Sequence, residues 1–354
     1  MAALIPPRPD QGLGAGYHSP QVDVAVRLNT NESPYPPPQA WVDELAAAVT
    51  AIAFNRYPDR SATALRAGLA ELHGVRPEQV FAANGSNEVL QVLLLTYGGP
   101  GRSVAVFEPT YALHSHIARL TGTAVATGDR APDFTLDPGE VKRVLADADP
   151  AVTFLCSPNN PTGRADPRAV VTDVVDLAPG LVVVDEAYGE FGGESAVTLL
   201  PQYERLVVVR SFSKSWRMAG ARIGYLMSHP WLVEAIQVAR LPYHLSAITQ
   251  AAGETALKHA GAIMAGVQEI LVERERLIKE MERVPGLEVF PSDANFVLFR
   301  SPRDGTDLHR ALAEHGVLVR DFNTVIPRAL RVTVGTSDQN ADFVEALRSV
   351  LTDG

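Results

Sequence analysis

The stretch VVVRSFSKSWRMAGARIG, which runs from Val207 to Gly224, combines an apolar segment with an unusually placed lysine. Apolar residues around Val207–Val209 are typical of a buried strand of a parallel sheet. Lys214 follows within a polar segment that lacks the apolar period of a packed helix. A second apolar run, Ile223–Met227, begins nine residues later. The sequence therefore predicts a strand, a polar loop that carries Lys214, and another strand.

A lone lysine between two core strands is uncommon because burial of an ammonium group is energetically costly. The chain has four lysines, and Lys142, Lys258 and Lys279 lie in charged, helix-like segments where a solvated amine is expected. A surface-loop position is the alternative interpretation of Lys214, as for any lysine taken at random. A desolvated amine is suited to Schiff-base formation with a carbonyl, most often that of pyridoxal phosphate. The context of Lys214 favours that chemistry.

Length, charge and composition limit the classes of protein to which this chain can belong. A chain of 354 residues suggests two domains, or one large domain with a smaller partner. The net charge of −10 and the lack of a basic run argue against nucleic-acid binding. The sequence contains no run of about eighteen apolar residues, so no membrane span is predicted. The single cysteine, Cys156, fits a reducing compartment, and the N-terminal residues lack the apolar core of a signal peptide, so we expect a cytoplasmic protein.

The first part of the chain is irregular. Residues 1–27 are rich in proline and glycine, which predicts an extended N-terminal arm. A short strand is predicted at Arg27–Thr30 and a helix at Trp41–Ile52. Ser61 is predicted to cap a further helix that ends near Leu72.

From Val80 onward, short apolar runs alternate with helical patterns. The strand candidates are Val80–Ala83, Ser103–Phe107, Ala124–Thr127, Val152–Cys156, Leu181–Val184, Leu206–Val209 and Ile223–Met227. The helical patterns between them lie near Asn87–Tyr97, Tyr111–Leu120, Pro138–Leu145 and Pro167–Leu177. This α/β alternation predicts a mainly parallel seven-stranded sheet covered by helices, with active residues at the carboxyl ends of its strands.

The last part of the chain predicts a smaller α+β domain. Pro230 to about Val284 is nearly all helical, with an interruption at Leu241–Ser246. Three strand candidates follow, at Asn295–Phe299, Val317–Arg320 and Leu330–Val334. We therefore assign residues 55–244 to the large domain, residues 28–54 and 245–354 to the small domain, and residues 1–27 to the arm.

Polar motifs follow the strand candidates of the large domain. They are Asn84-Gly85-Ser86-Asn87-Glu88, Pro109-Thr110-Tyr111, Ser157-Pro158-Asn159-Asn160-Pro161-Thr162-Gly163 and Asp185-Glu186-Ala187-Tyr188. A glycine before a helix start suits phosphate binding, and an acid that closes a buried strand needs a cationic partner such as a protonated pyridine nitrogen. Each motif alone also fits turn or cap chemistry. Their joint occurrence, in an order that ends at Lys214, favours one shared site.

These residues resemble a known family. The segments SPNNPTG (157–163), VVVDEAY (182–188) and SFSKSWRMAGARIG (211–224) are similar to signatures of pyridoxal-phosphate-dependent aminotransferases of fold type I, the fold of aspartate aminotransferase. The resemblance runs across the whole chain and is strongest for histidinol-phosphate aminotransferases. It includes RLNTNESPYPPP (27–38), RYPD (56–59), AANGSNE (82–88), RLPYHLSAITQ (240–250), SDANFVLF (292–299) and LRVTVGT (330–336).

The resemblance implies a role for each residue that would contact the cofactor ring. Lys214 would bind pyridoxal 5′-phosphate covalently and shuttle a proton to and from the substrate. Asp185 would pair with the pyridine nitrogen and keep it protonated. Tyr188 and Asn160 would hydrogen-bond the phenolic oxygen of the ring, and Tyr111 would stack on its face.

The resemblance also implies a set of residues around the cofactor phosphate. They are Gly85, Ser86, Asn87, Ser211, Ser213 and Arg222, whose guanidinium matches phosphate geometry. Asn87 and Ser213 fit a purely structural role equally well. Tyr57 resembles a tyrosine that reaches the phosphate from the other subunit, which implies a homodimer with shared active sites.

Substrate recognition is implied by residues of the arm and of the small domain. Arg331 and Asn160 match residues that contact the substrate, and Arg331 would bind its acidic group. Tyr17 and Arg320 occupy positions where members that accept histidinol phosphate carry a tyrosine and an additional arginine. Two arginines and a tyrosine suit a dianionic phosphate better than a carboxylate. Ser215-Trp216-Arg217 departs from the usual family pattern, so these residues either reshape the site or point outward.

The expected reaction is transamination between L-histidinol phosphate and 2-oxoglutarate in histidine biosynthesis. An aromatic amino-acid aminotransferase, or one of a specialised pathway, is the main alternative. A pyridoxal-phosphate-dependent decarboxylase of an O-phospho amino acid and a non-enzymatic homologue are further alternatives. Partners would be small molecules, namely a phosphorylated amino alcohol or amino acid and a 2-oxo acid. No nucleic acid, membrane or metal site is expected.

Overall fold

A computed structural model of the chain describes residues 22–352, and its first elements are short. Strand β1 (Val26–Arg27) precedes helices α1 (Gln39–Thr50) and α2 (Thr63–His73). The predicted first strand and first helix are confirmed, with shifted bounds.

The predicted cap of helix α2 is wrong. Ala62, not Ser61, occupies the cap position, and the methyl side chain of Ala62 cannot accept a hydrogen bond. Asp59 takes over this role, because its carboxylate accepts from the backbone N–H groups of Ser61 and Thr63 at 2.9 and 2.6 Å. An aspartate serves this purpose as well as a serine, since both offer a side-chain oxygen to a free amide.

A seven-stranded sheet forms the centre of the fold, as predicted. Its strands are β2 (Val80–Ala83), β3 (Ser103–Glu108), β4 (Ala124–Asp129), β5 (Val152–Cys156), β6 (Leu181–Asp185), β7 (Leu206–Ser211) and β8 (Gly224–Ser228). The spatial order is β2-β8-β7-β6-β5-β3-β4. Only β8 runs antiparallel to its neighbours, so β2, β3, β5, β6 and β7 all end at the same edge of the sheet.

Helices cover both faces of this sheet. They are α3 (Ser86–Tyr97), α4 (Leu113–Leu120), α5 (Pro138–Ala148), α6 (Arg168–Leu177) and α7 (Pro230–Ala239), which confirms the predicted helical segments. In β7, Val207 and Val209 pack with α3, α4 and α7, whereas Leu206 and Val208 pack with α2, α5 and α6. Successive side chains of a strand point to opposite faces, so a strand buried on both faces reads as a continuous apolar run.

The C-terminal part adds helices and two small sheets. Helices α8 (Ala247–Lys258) and α9 (Ala260–Glu282) are followed by β9 (Glu288–Val289), β10 (Phe296–Arg300), α10 (Gly305–Glu314), β11 (Val317–Leu318), β12 (Arg320–Asp321), β13 (Ala329–Thr333) and α11 (Ser337–Thr352). Strands β12, β13, β10 and β9 form an antiparallel sheet in that order, and β1 pairs with β11. The three strand candidates are confirmed, although the second divides into β11 and β12.

The sequence pattern does not predict β9, whose two residues are too few to show a period. None of the helices within residues 22–352 is long and apolar enough to cross a membrane. The division of the chain into an arm, a large domain and a small domain at the bounds given above stays a prediction.

Gly224, the first residue of β8, permits a close approach of backbones at the carboxyl edge. A Cβ atom on Gly224 would lie 2.1 Å from the backbone nitrogen of Ser86 and 2.3 Å from the carbonyl carbon of Gly85. Both atoms belong to the turn that leads from β2 into α3. Only glycine allows β8 to pass beneath that turn without displacing it.

The variant Gly224→Ala is therefore expected to lose at least about 1–3 kcal/mol of unfolding free energy, because the added methyl group overlaps backbone atoms that cannot move independently. Chemical denaturation of the cofactor-free protein measures this loss. Gly261→Ala is the matched control. Gly261 lies in helix α9, and a Cβ atom at this position would meet nothing within 4 Å. Equal stability of Gly224→Ala and the parent protein would contradict the close approach.

Candidate active site

A cavity of about 360 Å³ opens where β2, β3, β5, β6 and β7 end. Most of the predicted site residues line it together. They are Ser86, Asn87, Tyr111, Asn160, Asp185, Tyr188, Ser211, Ser213, Lys214, Arg222 and Arg331. The cavity is also lined by residues that sequence reasoning missed, namely Thr30, Asn31, Glu32, Ala187, Ala219 and Gly220. Residues 30–32 follow β1 without an apolar period, and the one signal that bears on them is their place in the family-like segment RLNTNESPYPPP (27–38).

The amine of Lys214 lies inside this cavity. Its Nζ donates a hydrogen bond to the backbone carbonyl of Thr30 at 2.7 Å. The pKa of Lys214 is lowered to about 8, chiefly by burial and also by the positive charges of Arg331 and Arg222, while Glu32 opposes the shift. A much larger fraction of this amine is therefore neutral near pH 7 than for an ordinary lysine, and the neutral form is the nucleophile.

Asp185 forms the floor of the cavity, with only 1% of its surface exposed. Its Oδ1 accepts a hydrogen bond from the backbone N–H of Ala187, and its Oδ2 lies 3.1 Å from Nε2 of His114. His114 is fully buried and stacks on Phe154 with ring centroids 4.7 Å apart. The sequence analysis missed His114. Its position three residues after Tyr111, near the start of α4, is the one available signal.

Hydrogen-bond donors converge at one end of the cavity. Helix α3 begins at Ser86, so the N–H groups of its first turn have no acceptor within the helix. Arg222 Nη1 donates to Ser213 Oγ at 3.3 Å, and Gly85 lies so close that a Cβ there would be 2.5 Å from Nη2 of Arg222. Ser211 Oγ accepts from the N–H of Ser213. Free amides, hydroxyl groups and a guanidinium together form an anion-binding site.

Two tyrosines border the cavity, each held by an asparagine. The hydroxyl of Tyr111 donates to Oδ1 of Asn87 at 3.1 Å, and the hydroxyl of Tyr188 accepts from Nδ2 of Asn31 at 3.0 Å. Burial raises the pKa of Tyr188 well above its usual range, so its phenol stays protonated. A protonated phenol can donate a hydrogen bond to an oxygen of a ligand.

Arg331, on strand β13, supplies a buried cation to the cavity. Its Nη1 donates to Oδ1 of Asn160, and its Nη2 donates to the carbonyl of Asn29 at 2.9 Å. The guanidinium also lies 4.9 Å from the ring centroid of Phe296. Arg320 is directly opposite Arg331 in the β12–β13 pair, but Arg320 does not line the cavity. Cross-strand partners project from the same face of a sheet.

Of the predicted site residues that the structure describes, Gly85, Arg320 and Tyr57 do not line the cavity. Tyr57 is 79% exposed and stacks on Tyr243, with ring centroids 4.4 Å apart and planes 15° from parallel. Tyr17 lies outside the described residues. The prediction that Tyr57 reaches the site of a second subunit stays a prediction.

Trp216 and Arg217 do not line the cavity. Trp216 is 2% exposed and stacks on Phe212 at 4.3 Å, so it belongs to the core. Arg217 donates from Nη1 to the carbonyl of Pro36 and lies over the ring of Tyr35. Trp216 therefore fits neither alternative given above: it does not line the cavity, and it packs inward because its large apolar surface is buried in the core.

A buried charge cluster lies directly behind the site. Arg210 contacts Glu186 at 2.7 Å and Glu190 at 2.9 Å, and the hydroxyl of Ser215 donates to Glu190 at 2.9 Å. Glu186 follows Asp185 in the chain, Arg210 precedes Ser211, and Ser215 follows Lys214. Burial raises the pKa of Glu186, and the positive charge of Arg210 opposes that shift. The cluster therefore ties together three chain segments that each present a residue to the cavity.

Comparisons with known proteins agree with this geometry. The family model described as aminotransferase class I and II matches residues 23–347. A histidinol-phosphate aminotransferase of Frankia casuarinae is 48% identical over 351 residues, which cover 95% of this chain and 88% of the relative. A histidinol-phosphate aminotransferase of Thermobifida fusca is 47% identical, with 97% of this chain and 95% of the relative covered.

A solved structure shares the fold. The histidinol-phosphate aminotransferase of Sinorhizobium meliloti, in complex with pyridoxal-5′-phosphate, superposes with a TM-score of 0.85 and 24% sequence identity. The match covers 93% of this chain and 92% of that structure. The predicted fold class is therefore confirmed.

The charge cluster leads to a stability prediction. Arg210→Met should lower the unfolding free energy by about 3–5 kcal/mol, because it leaves the carboxylates of Glu186 and Glu190 buried without their cation. Denaturant unfolding measures the loss. Arg143→Met is the matched control, since the ion pair of Arg143 with Glu140 is exposed to solvent and its removal should leave the midpoint nearly unchanged. Similar midpoints for both variants would contradict the role of the cluster.

Proposed function

The chain belongs to the class I and II aminotransferases, and we propose that it transfers the amino group of L-histidinol phosphate to 2-oxoglutarate, a step of histidine biosynthesis. The observation that carries this choice of substrate is the likeness, over nearly the whole chain, to histidinol-phosphate aminotransferases. The two groups of donors in the cavity, around Arg222 and at Arg331, support it, because the reaction needs one anion site for the cofactor and another for the substrate.

Pyridoxal 5′-phosphate is the cofactor of this family. When bound, it accepts the substrate amino group and withdraws electrons from the substrate Cα. The donors around Arg222, namely Ser86, Asn87, Ser211 and Ser213, would hold its phosphate. The close packing of Gly85 against Arg222 supports this assignment, because a side chain at Gly85 would displace the guanidinium that is proposed to hold the phosphate.

Asp185 would face the pyridine nitrogen of the cofactor. Its carboxylate is oriented by His114 and by the N–H of Ala187, so it cannot turn away from the cavity. Tyr111 would stack on the ring, and Tyr188 with Asn160 would hydrogen-bond its phenolic oxygen. These contacts place a negative charge and two donors at opposite edges of one planar group.

Lys214 would attach the cofactor through Nζ. The low pKa of this amine supports the assignment, because the group must be neutral to attack a carbonyl and must afterwards accept a proton. Its hydrogen bond to the carbonyl of Thr30 holds Nζ at the cavity, where it can carry a proton to and from the substrate Cα.

Arg331 would bind the phosphate of the substrate. It is held rigidly by Asn160 and Asn29, so its guanidinium is preorganised for an anion. Arg320, opposite it on β12, would add a second positive charge, and Tyr17 would complete the set from the arm. A dianionic phosphate is matched better by two guanidinium groups than by one.

A homodimer with shared active sites is part of the proposal. The exposed, stacked ring of Tyr57 supports it, because such an aromatic surface is costly to leave in water and is available to a second subunit. We also propose a cytoplasmic location, which the single buried cysteine, Cys156, supports.

The substrate is tested by single-turnover spectroscopy of the yellow holoenzyme. L-histidinol phosphate should rapidly bleach the visible absorbance of the cofactor, because both of its charged ends match the cavity, whereas L-phenylalanine should react far more slowly. Conversion by phenylalanine alone would identify an aromatic amino-acid aminotransferase. Release of CO₂ from an O-phospho amino acid without an oxo-acid acceptor would identify a decarboxylase.

The shared site is tested by subunit complementation. Lys214→Ala should be inactive and Tyr57→Ala weakly active, since one lacks the amine and the other a phosphate contact. Co-expression should restore roughly a quarter of the parent activity, because about half of the dimers are hybrids and each hybrid has one intact site. Purification by two different tags gives the hybrid alone. No gain in activity for the hybrid would place Tyr57 at the site of its own subunit.

A further inference from the structure

The charged groups that line the cavity are unevenly distributed. Among the lining residues that the structure describes, Lys214, Arg222 and Arg331 are basic, and only Asp185 and Glu32 are acidic. Asp185 is buried at the floor, where His114 and a backbone N–H hold both of its oxygens. Glu32, in contrast, is exposed. It is therefore the acidic group of the cavity that an entering substrate can reach.

Glu32 is fixed close to the reactive amine. Its Oε2 accepts a hydrogen bond from Oγ1 of Thr30 at 3.0 Å. The backbone carbonyl of the same Thr30 accepts from Nζ of Lys214 at 2.7 Å. A single residue thus links the carboxylate of Glu32 to the amine of Lys214, so a substrate that reacts near Lys214 also comes within reach of Glu32.

Other side-chain amide oxygens at the cavity are already engaged. Oδ1 of Asn87 accepts from Tyr111, Oδ1 of Asn160 accepts from Arg331, and Oδ1 of Asn31 accepts from the hydroxyl of Thr333. Oε1 of Glu32 accepts no hydrogen bond from any residue between 22 and 352. A ligand N–H that enters the cavity would find its available side-chain acceptor there.

We propose that Glu32 binds a ring N–H of the substrate imidazole and thereby selects for it. This inference rests on the proposed function. In L-histidinol phosphate the carbon that bears the amino group also carries two arms, one ending in phosphate and the other in imidazole. The proposal assigns the phosphate to Arg331 and the imidazole to Glu32, so that the two arms bind different charged groups of the same cavity. An imidazole has an ordinary pKa near 6.5 and is partly cationic at neutral pH, which a carboxylate favours.

The same carboxylate acts differently on the second substrate. Glutamate carries no ring N–H and ends in an anion, which Glu32 repels and the arginines attract. The two half-reactions of one enzyme therefore provide an internal comparison. Loss of the charge of Glu32 should weaken the reaction with L-histidinol phosphate and leave the reaction with L-glutamate unchanged or faster.

The experiment compares the parent holoenzyme with Glu32→Gln, which keeps the shape of the side chain and removes its charge. Single-turnover kcat/KM for L-histidinol phosphate should fall roughly tenfold, the loss typical of a charge-assisted hydrogen bond at a partly solvated site. The value for L-glutamate should not fall. Glu71→Gln is the matched control, because Glu71 is an exposed acid on α2 outside this cavity, and neither half-reaction should change.

Binding without turnover supplies a second readout. Calorimetry of L-histidinol phosphate with Lys214→Ala, in the presence and absence of Glu32→Gln, should show the same loss of affinity. An equal fall in both half-reactions would overturn the proposal, since Glu32 would then act through Lys214. Unchanged values for L-histidinol phosphate would overturn it as well. A parent enzyme that converts L-glutamate and not L-histidinol phosphate would instead reject the proposed function, and the role of Glu32 with it.

Discussion

The structure depends on one constraint: charged groups that are removed from water at the carboxyl edge of the sheet must each have a partner. Arg210 neutralises Glu186 and Glu190 behind the cavity, and His114 with a backbone N–H holds Asp185 at its floor. These contacts hold the carboxylates in fixed directions and join the loops that carry them.

The alternation of side chains along a strand makes this arrangement possible. At the ends of β6 and β7, neighbouring residues point to opposite sides, so Asp185 and Ser211 face the cavity while Glu186 and Arg210 enter the cluster behind it. Ser215 repeats this division in the loop beyond β7, next to Lys214. Catalytic groups and the charges that support them are therefore adjacent in sequence, although they serve different sides of the sheet.

The resulting cavity has the polarity that an aminotransferase needs. The donors near Arg222 form a binding site for one phosphate, and the buried guanidinium of Arg331 forms a binding site for a second anion. The same cavity holds the Lys214 amine, whose pKa is lowered by burial and by both arginines, so the groups that bind anions also activate the nucleophile. Glu32 limits this shift and gives the cavity its accessible negative charge, which links reactivity to the choice of substrate.

The sequence by itself determined the order of strands and helices, the parallel sheet and the residues that follow each strand, because apolar periods and turn residues act over a few positions. It also singled out Lys214, since a lysine between two core strands is a local anomaly. Only the tertiary structure decided that His114 meets Asp185, that Glu32 joins the cavity from a segment far along the chain, that Asp59 replaces Ser61 at a helix start and that Trp216 packs inward. Three of these four join residues far apart in the chain or bury them in a shared core. The remaining case, Asp59 in place of Ser61, is a choice between two equally suitable oxygen acceptors. Only the backbone conformation around Ala62 settles it.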